Sequence, residues 1–216
     1  MKHILNRFFD KIYCVTVHNF YDRHELVKKQ LMGIDFDWIF SPPPQYLMPS
    51  DKITPSEMSL IIGHINCIWN AKINGYKKIA IWEDDGVLVA NENEIQLFFD
   101  NIPNNWDCLA MANATWANDV YGFRKEPVSE YVNRVRWGNG SGFNAIREHI
   151  YDDFITIATQ FIEPIDFSYY KIFGRENTYS PSKKYFSDPI SMPNEHVLDR
   201  VPNHERFLSS RIIHTK

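Results

Sequence analysis

The chain has 216 residues, 44% of them hydrophobic and 15% aromatic, and carries a formal net charge of −4. That length suffices for one domain with a substantial core and no covalent staples, and the mildly acidic balance argues against a broad nucleic-acid footprint. Cys14, Cys67 and Cys108 stand far apart in apolar surroundings, which predicts reduced, buried thiols and a reducing, cytoplasmic setting, not disulfides or a zinc site.

Residues 1–10 contain no long apolar stretch of the secretory kind. No apolar run approaches the ~18 residues of a membrane-spanning helix, so residues 3–9 make at most a peripheral membrane contact. Residues 11–17 read as a first buried strand, His18 to Arg23 as a loop, and Arg23 to Leu31 as a helix that Gly33 can stop. Phe36 to Phe40 reads as a second strand, after which Ser41-Pro42-Pro43-Pro44 forces extended backbone. The next helix has the clearest signals. Thr54-Pro55-Ser56-Glu57 supplies a cap, a proline at the first helical position and the glutamate of a capping box. Met58, Ile61, Ile62, Ile65, Ile68 and Trp69 then recur at helical spacing, and Asn74-Gly75 ends the helix.

The third strand, residues 79–82, is apolar and runs straight into Glu83-Asp84-Asp85-Gly86. Alternation in a strand sends Glu83 and Asp85 to one face and Asp84 to the other. Two carboxylates converging at the end of a buried strand repel each other unless a cation joins them. A hard divalent ion such as Mn²⁺ or Mg²⁺ suits oxygen ligands and can also hold a diphosphate. The same four residues also suit a plain acidic Asp-Gly turn that ends the strand.

Glu94 to Phe99 reads as a short helix and Trp106 to Ala112 as a strand. Residues 137–146 form a glycine-rich approach to another strand or helix, and Glu148 to Phe161 reads as helix. From residue 164 onward the pattern loses its period, which predicts loops and short elements packed over the site. Alternating strands and helices predict a single α/β domain with a mainly parallel central sheet flanked by helices. In such sheets ligands bind beyond the carboxyl ends of the strands, where residues 83–85 would lie.

Four segments together resemble family 25 glycosyltransferases, which include lipopolysaccharide and collagen β-galactosyltransferases. They are a strand followed by Asp22-Arg23, a helix with Glu57 and Gly63-His64 that ends in Asn74-Gly75-Tyr76, a strand closing in Glu83-Asp84-Asp85, and Gly140–Ile146 followed by Pro164-Ile165-Asp166. The likeness covers roughly residues 11–170. Gly63 departs from the serine usual before the helical histidine, and the last forty residues match no part of the pattern.

The resemblance implies a GT-A-like domain, with a nucleotide-sugar core over about 11–112 and acceptor-side elements over about 113–216. It implies transfer of a sugar such as galactose from a nucleotide diphosphate to an acceptor hydroxyl, with inversion. The acceptor would be a glycan, a lipid-linked saccharide or a protein. It places Mn²⁺ or Mg²⁺ on Glu83 and Asp85, the donor on Asp22, Arg23, Glu83, Asp84, Gly140 and Ser141, and the acceptor base on Asp166. His18 and Asn19 stand where a base or ribose could be bonded. Glu57 reads first as a helix cap, and His64 as support for the acidic strand. His196, His204 and His214 are candidates for a late metal ligand. A binding module that has lost catalysis, and a metal-dependent phosphohydrolase built on the same acidic strand end, are the competing readings. Retained paired carboxylates speak against the first, and the lack of a second metal cluster in the sequence speaks against the other.

Overall fold

Strand β1 (Lys11–Val17) is apolar on both sides because helices cover both faces of the sheet it belongs to. Ile12 and Cys14 pack on one side, Tyr13 and Val15 on the other, as a period of two requires. The computed structural model describes residues 2–48, 50–112, 124–138, 140–183 and 186–187. Within them β1 pairs in parallel with β2 (Asp37–Ser41) and β3 (Lys78–Glu83). Helix α1 (Ile4–Phe8) precedes β1 and buries Ile4 and Leu5 against the domain.

Between β1 and β2 runs α2 (Tyr21–Gln30), whose Val27 packs on the Ile12 side. Between β2 and β3 runs α3 (Pro55–Asn74), which packs on the Tyr13 side. Its ends are those the sequence predicts. Thr54 and Glu57 form the reciprocal capping box, and Gly75 takes the left-handed conformation at φ 69°. The chain thus steps from β1 outward to β2, then back across β1 to β3, with its two crossover helices on opposite faces. In α/β sheets such a reversal of direction is where a ligand crevice opens, here at the carboxyl ends of β1 and β3.

After β3 come the short β4 (Val87–Leu88), α4 (Glu92–Asn101), β5 (Cys108–Ala110), β6 (Arg124–Pro127), β7 (Val132–Trp137) and β8 (Phe143–Arg147). Then come α5 (Tyr151–Ala158), α6 (Ile165–Phe173), β9 (Thr178–Pro181) and β10 (Phe186–Ser187). Among the described residues the large sheet has eight strands, in the order β2-β1-β3-β8-β5-β9-β7-β6. Helices α1, α2 and α4 cover one face, while α3, α5 and α6 cover the other.

The α/β class and the parallel core match the sequence expectation. Beyond β3 the sheet is mixed, because β8 and β7 run against their neighbours. Residues 164–181 form short elements, as expected, but α6 and β9 are part of the core and not a cover packed over the site. Tyr169, Ile172 and Phe173 are fully buried, so packing makes a helix of a segment whose aromatic residues have modest intrinsic helix preference. The helix expected over 148–161 is a 3₁₀ turn, Glu148–Ile150, followed by the shorter α5. β10 pairs antiparallel with β4, directly after the acidic turn.

Gly63 has a packing reason. A Cβ there would collide with Ser41 Oγ and Val15 Cγ1, so only glycine lets α3 sit this close to β1 and β2. Gly63→Ala should therefore lower stability by about 1–3 kcal/mol, the usual cost of overpacking a core. Urea unfolding checks this, and an unchanged midpoint would mean that Ser41 and Val15 simply move aside.

Candidate active site at the carboxyl ends of β1 and β3

Strand β3 stops at Glu83, and the next residues close a tight turn in which Gly86 N–H donates to Glu83 O at 3.0 Å. Asp84 and Asp85 are the central pair of that turn. Gly86 fits its end because Trp82 Nε1 packs against it and donates to Gly86 O at 3.3 Å. The turn breaks the alternation expected from the sequence. Glu83 goes to the α3 side, where its Oε1 lies 3.2 Å from His64 Nε2. Asp84 goes to the α2 side, and Asp85 follows it there, not Glu83, with its Oδ2 3.9 Å from Arg23 Nη1.

Asp84 is 5% exposed and fully engaged. Arg23 Nη1 donates to its Oδ1 at 2.7 Å and Thr16 Oγ1 donates to its Oδ2 at 2.5 Å. His24 Nε2 lies 2.9 Å from the same Thr16 hydroxyl and 3.1 Å from Val17 O. Burial alone would lower the Arg23 pKa. The Asp84 charge and hydrogen bond, with Asp85 and Glu83 behind them, outweigh that and hold it above its ordinary value. Cys14, on the same face of β1, has its thiol pushed well up by burial first and by Asp84 next. All three cysteines are free and buried, as the sequence predicts.

On the α3 side, His64 is fully buried and bonds Tyr169 Oη through Nδ1 at 3.0 Å. Burial raises the Tyr169 pKa well above that of a free phenol. Tyr169 lies on α6, one turn after Asp166, which sits in the first turn of that helix. There the positive end of the helix dipole favours a negative charge.

The start of β8 completes this edge. Glu83 N–H donates to Gly142 O at 2.9 Å, which draws residues 140–142 alongside the acidic turn. Ser141 Oγ donates to Asp166 Oδ1 at 3.0 Å, and Asn144 Nδ2 donates to Gly140 O at 2.7 Å. Gly140 has φ 137°, a conformation that favours glycine. The Oδ1 of Asn144 is buried and has no partner among the described residues.

The fold therefore brings together Arg23, Glu83, Asp84, Asp85, Gly140, Ser141 and Asp166. Asp22 is exposed in the first turn of α2, and His18 stacks on Phe40 at the ends of β1 and β2 with ring centroids 3.8 Å apart. Glu57 is a helix cap. His196, His204 and His214 lie outside the described residues. Sequence reasoning missed Thr16, His24, Tyr169 and Asn144. Thr16 left one sign, a hydroxyl at a position that alternation puts on the same side as Cys14 in an otherwise apolar strand.

Among the described residues no group of three or more His, Cys, Asp or Glu side chains could hold a metal ion alone. The donor set here is smaller. Asp84 is held by Arg23 and Thr16, while Asp85 and Glu83 carry the other two carboxylates of the turn, on its α2 and α3 sides. A hard cation shared between those two sides would take its other ligands from phosphate oxygens and water. No helix among the described residues is long and apolar enough to cross a membrane.

No family model matches the chain, and no curated protein sequence matches it. Among solved structures it is similar to A197 from STIV, at 13% identity over 82% of each chain with a TM-score of 0.44. It is also similar to a glycosyltransferase involved in the glycosylation of the major capsid of PBCV-1. There the identity is 16%, the coverage 69% of this chain and 66% of that one, and the TM-score 0.40. A third is UDP-glucose pyrophosphorylase complexed with UDP-glucose, at 10% identity over 81% of this chain and 73% of that one, with a TM-score of 0.45.

Proposed function

We propose that this chain is a metal-dependent glycosyltransferase that moves a sugar, galactose by its family-25-like motifs, from a nucleotide diphosphate to an acceptor hydroxyl with inversion. One observation carries the reading. The carboxyl edge where the strand order reverses brings together an acidic turn, an arginine, a glycine-rich loop and a separate carboxylate on a helix N-terminus.

In this reading the nucleotide lies across the ends of β1 and β2, where the His18–Phe40 stack offers a flat face for the base. Mn²⁺ or Mg²⁺ held by Asp85 and Glu83 would neutralise the leaving diphosphate. Arg23 and Thr16 fix the acidic turn so that it needs no rearrangement when charge develops. Residues 140–142 let the sugar approach the backbone closely. Asp166 accepts the acceptor's proton as that oxygen attacks the anomeric carbon. A new carbon–oxygen bond forms, the bond to the diphosphate breaks, and the diphosphate leaves with its electron pair. Ser141 orients the carboxylate.

A panel of nucleotide sugars, read by thermal shift and by turnover with and without Mn²⁺, tests the proposal. Stabilisation by one uridine or other nucleotide sugar that requires the metal supports it. Phosphate-ester hydrolysis with no donor preference would replace it with a phosphohydrolase.

Asp166→Asn keeps the shape of the side chain and its bond with Ser141 but cannot accept a proton. Turnover should fall by about 10²–10⁴, the span for loss of a general base, while calorimetric donor affinity stays unchanged. If affinity falls together with turnover, Asp166 is a donor contact and not the base.

A further inference from the structure

His64 lies at the centre of a hydrogen-bonded chain that joins three elements of the fold. It is completely buried on α3, within an apolar cluster, yet both of its ring nitrogens are engaged. Nδ1 faces the Tyr169 hydroxyl of α6 at 3.0 Å, and Nε2 faces Glu83 Oε1 at the end of β3 at 3.2 Å. The direction of donation follows from the groups. A carboxylate oxygen only accepts, so the imidazole tautomer that bonds Glu83 carries hydrogen on Nε2. That tautomer leaves Nδ1 as an acceptor for the phenolic O–H.

The chain ends at two useful places. Glu83 is one of the two carboxylates assigned to the cation. Tyr169 stands three residues after Asp166, on the same side of α6. Resting on the function proposed above, we infer that His64 is a positioning residue: its Nε2–H aims Glu83 at the cation and diphosphate of the donor, and Tyr169 fixes the tautomer that makes His64 a donor. The same bridge sets the distance between the donor-side carboxylate and the helix that carries the acceptor-side one. A histidine that merely filled volume would not need both nitrogens matched to partners of opposite hydrogen-bonding character.

The test compares two amides. In His64→Gln the amide nitrogen can reach the position of imidazole Nε2 and still donate to Glu83. In His64→Asn the shorter amide reaches only the position of Nδ1, and Glu83 loses its donor. Uridine diphosphate with Mn²⁺ is titrated calorimetrically into wild type, both variants and Tyr169→Phe, and melting temperatures are recorded alongside.

His64→Gln should bind within about threefold of wild type, while His64→Asn should lose about 10–100-fold, the usual effect of removing a partner from a metal ligand. The two variants should melt at similar temperatures. Tyr169→Phe keeps the ring and should fall between them. Equal affinity in His64→Asn and His64→Gln, or an affinity loss that simply follows melting temperature, overturns the inference. Should neither His64 variant fold, wild-type affinity in Tyr169→Phe overturns it instead. If wild type itself fails to bind uridine diphosphate with Mn²⁺, the nucleotide reading of the site falls and the inference falls with it. A wild type that binds beside variants that bind equally well sinks the inference alone.

Discussion

Arg23→Ala should lower the free energy of unfolding by about 3 kcal/mol, the low end of what is lost when one partner of a buried ion pair is removed. Asp84 stays behind at 5% exposure, with Thr16 as a hydrogen-bond donor but without the guanidinium that met its Oδ1 at 2.7 Å. The low end applies because the pair sits at the edge of the sheet, where water can enter the gap. The loss includes packing, since Arg23 also lies over the Phe20 ring, 5.0 Å from its centroid. Arg23→Ala combined with Asp84→Asn should recover part of the loss, because no uncompensated charge remains. Urea unfolding of wild type, both single variants and the double variant gives the coupling directly.

A single Arg23→Ala variant within 0–1 kcal/mol of wild type, as for an exposed pair, would show that this pair does not brace the turn. The arginine adds no pH dependence near neutrality. Its folded pKa is raised above the ordinary arginine value, so its contribution is fully present at neutral pH and is lost only on the strongly alkaline side.

Asp85→Ala should have the opposite profile. Transfer should fall by about 10²–10³ or more, as when a preorganised group that stabilises developing charge is removed. Stability should change less than in Arg23→Ala, because Asp85 meets Arg23 at 3.9 Å, not at the 2.7 Å of Asp84, and sits on a turn outside the apolar core. Turnover of the donor identified in the panel, measured beside a thermal melt, separates the two effects. Wild-type turnover in Asp85→Ala would remove this residue from the site. A large loss of stability would make it part of the brace that Arg23 and Asp84 form.

The difference between these two neighbours was only half visible in the sequence. An acidic run after an apolar strand is legible, and so is its place at a carboxyl edge, because the strand and the capped helix before it have strong local signals. The partners were not legible. Thr16 and Asp84 are 68 positions apart, and their bond exists only because β1 and β3 are adjacent in parallel register. The turn closed by Gly86 overrode the alternation that would have paired Asp85 with Glu83. Helix α6 was hidden for a different reason. Its aromatic residues carry little helical preference, and burial of Tyr169, Ile172 and Phe173 against α3, α5 and the sheet supplies what local preference does not. The mixed half of the sheet is built from pairings between distant segments, such as Cys108 with Thr178, that no short window contains.

The central claim is that the acidic turn and the arginine beside it form a metal-assisted site for a nucleotide diphosphate. Calorimetric titration of uridine diphosphate into the wild-type chain, first with Mn²⁺ and then with excess chelator, addresses it most directly. Saturable one-to-one binding with Mn²⁺ is expected, lost on chelation and lost again in Asp85→Ala with Mn²⁺ restored. Binding of equal strength with and without the metal, or no binding in either, contradicts the account.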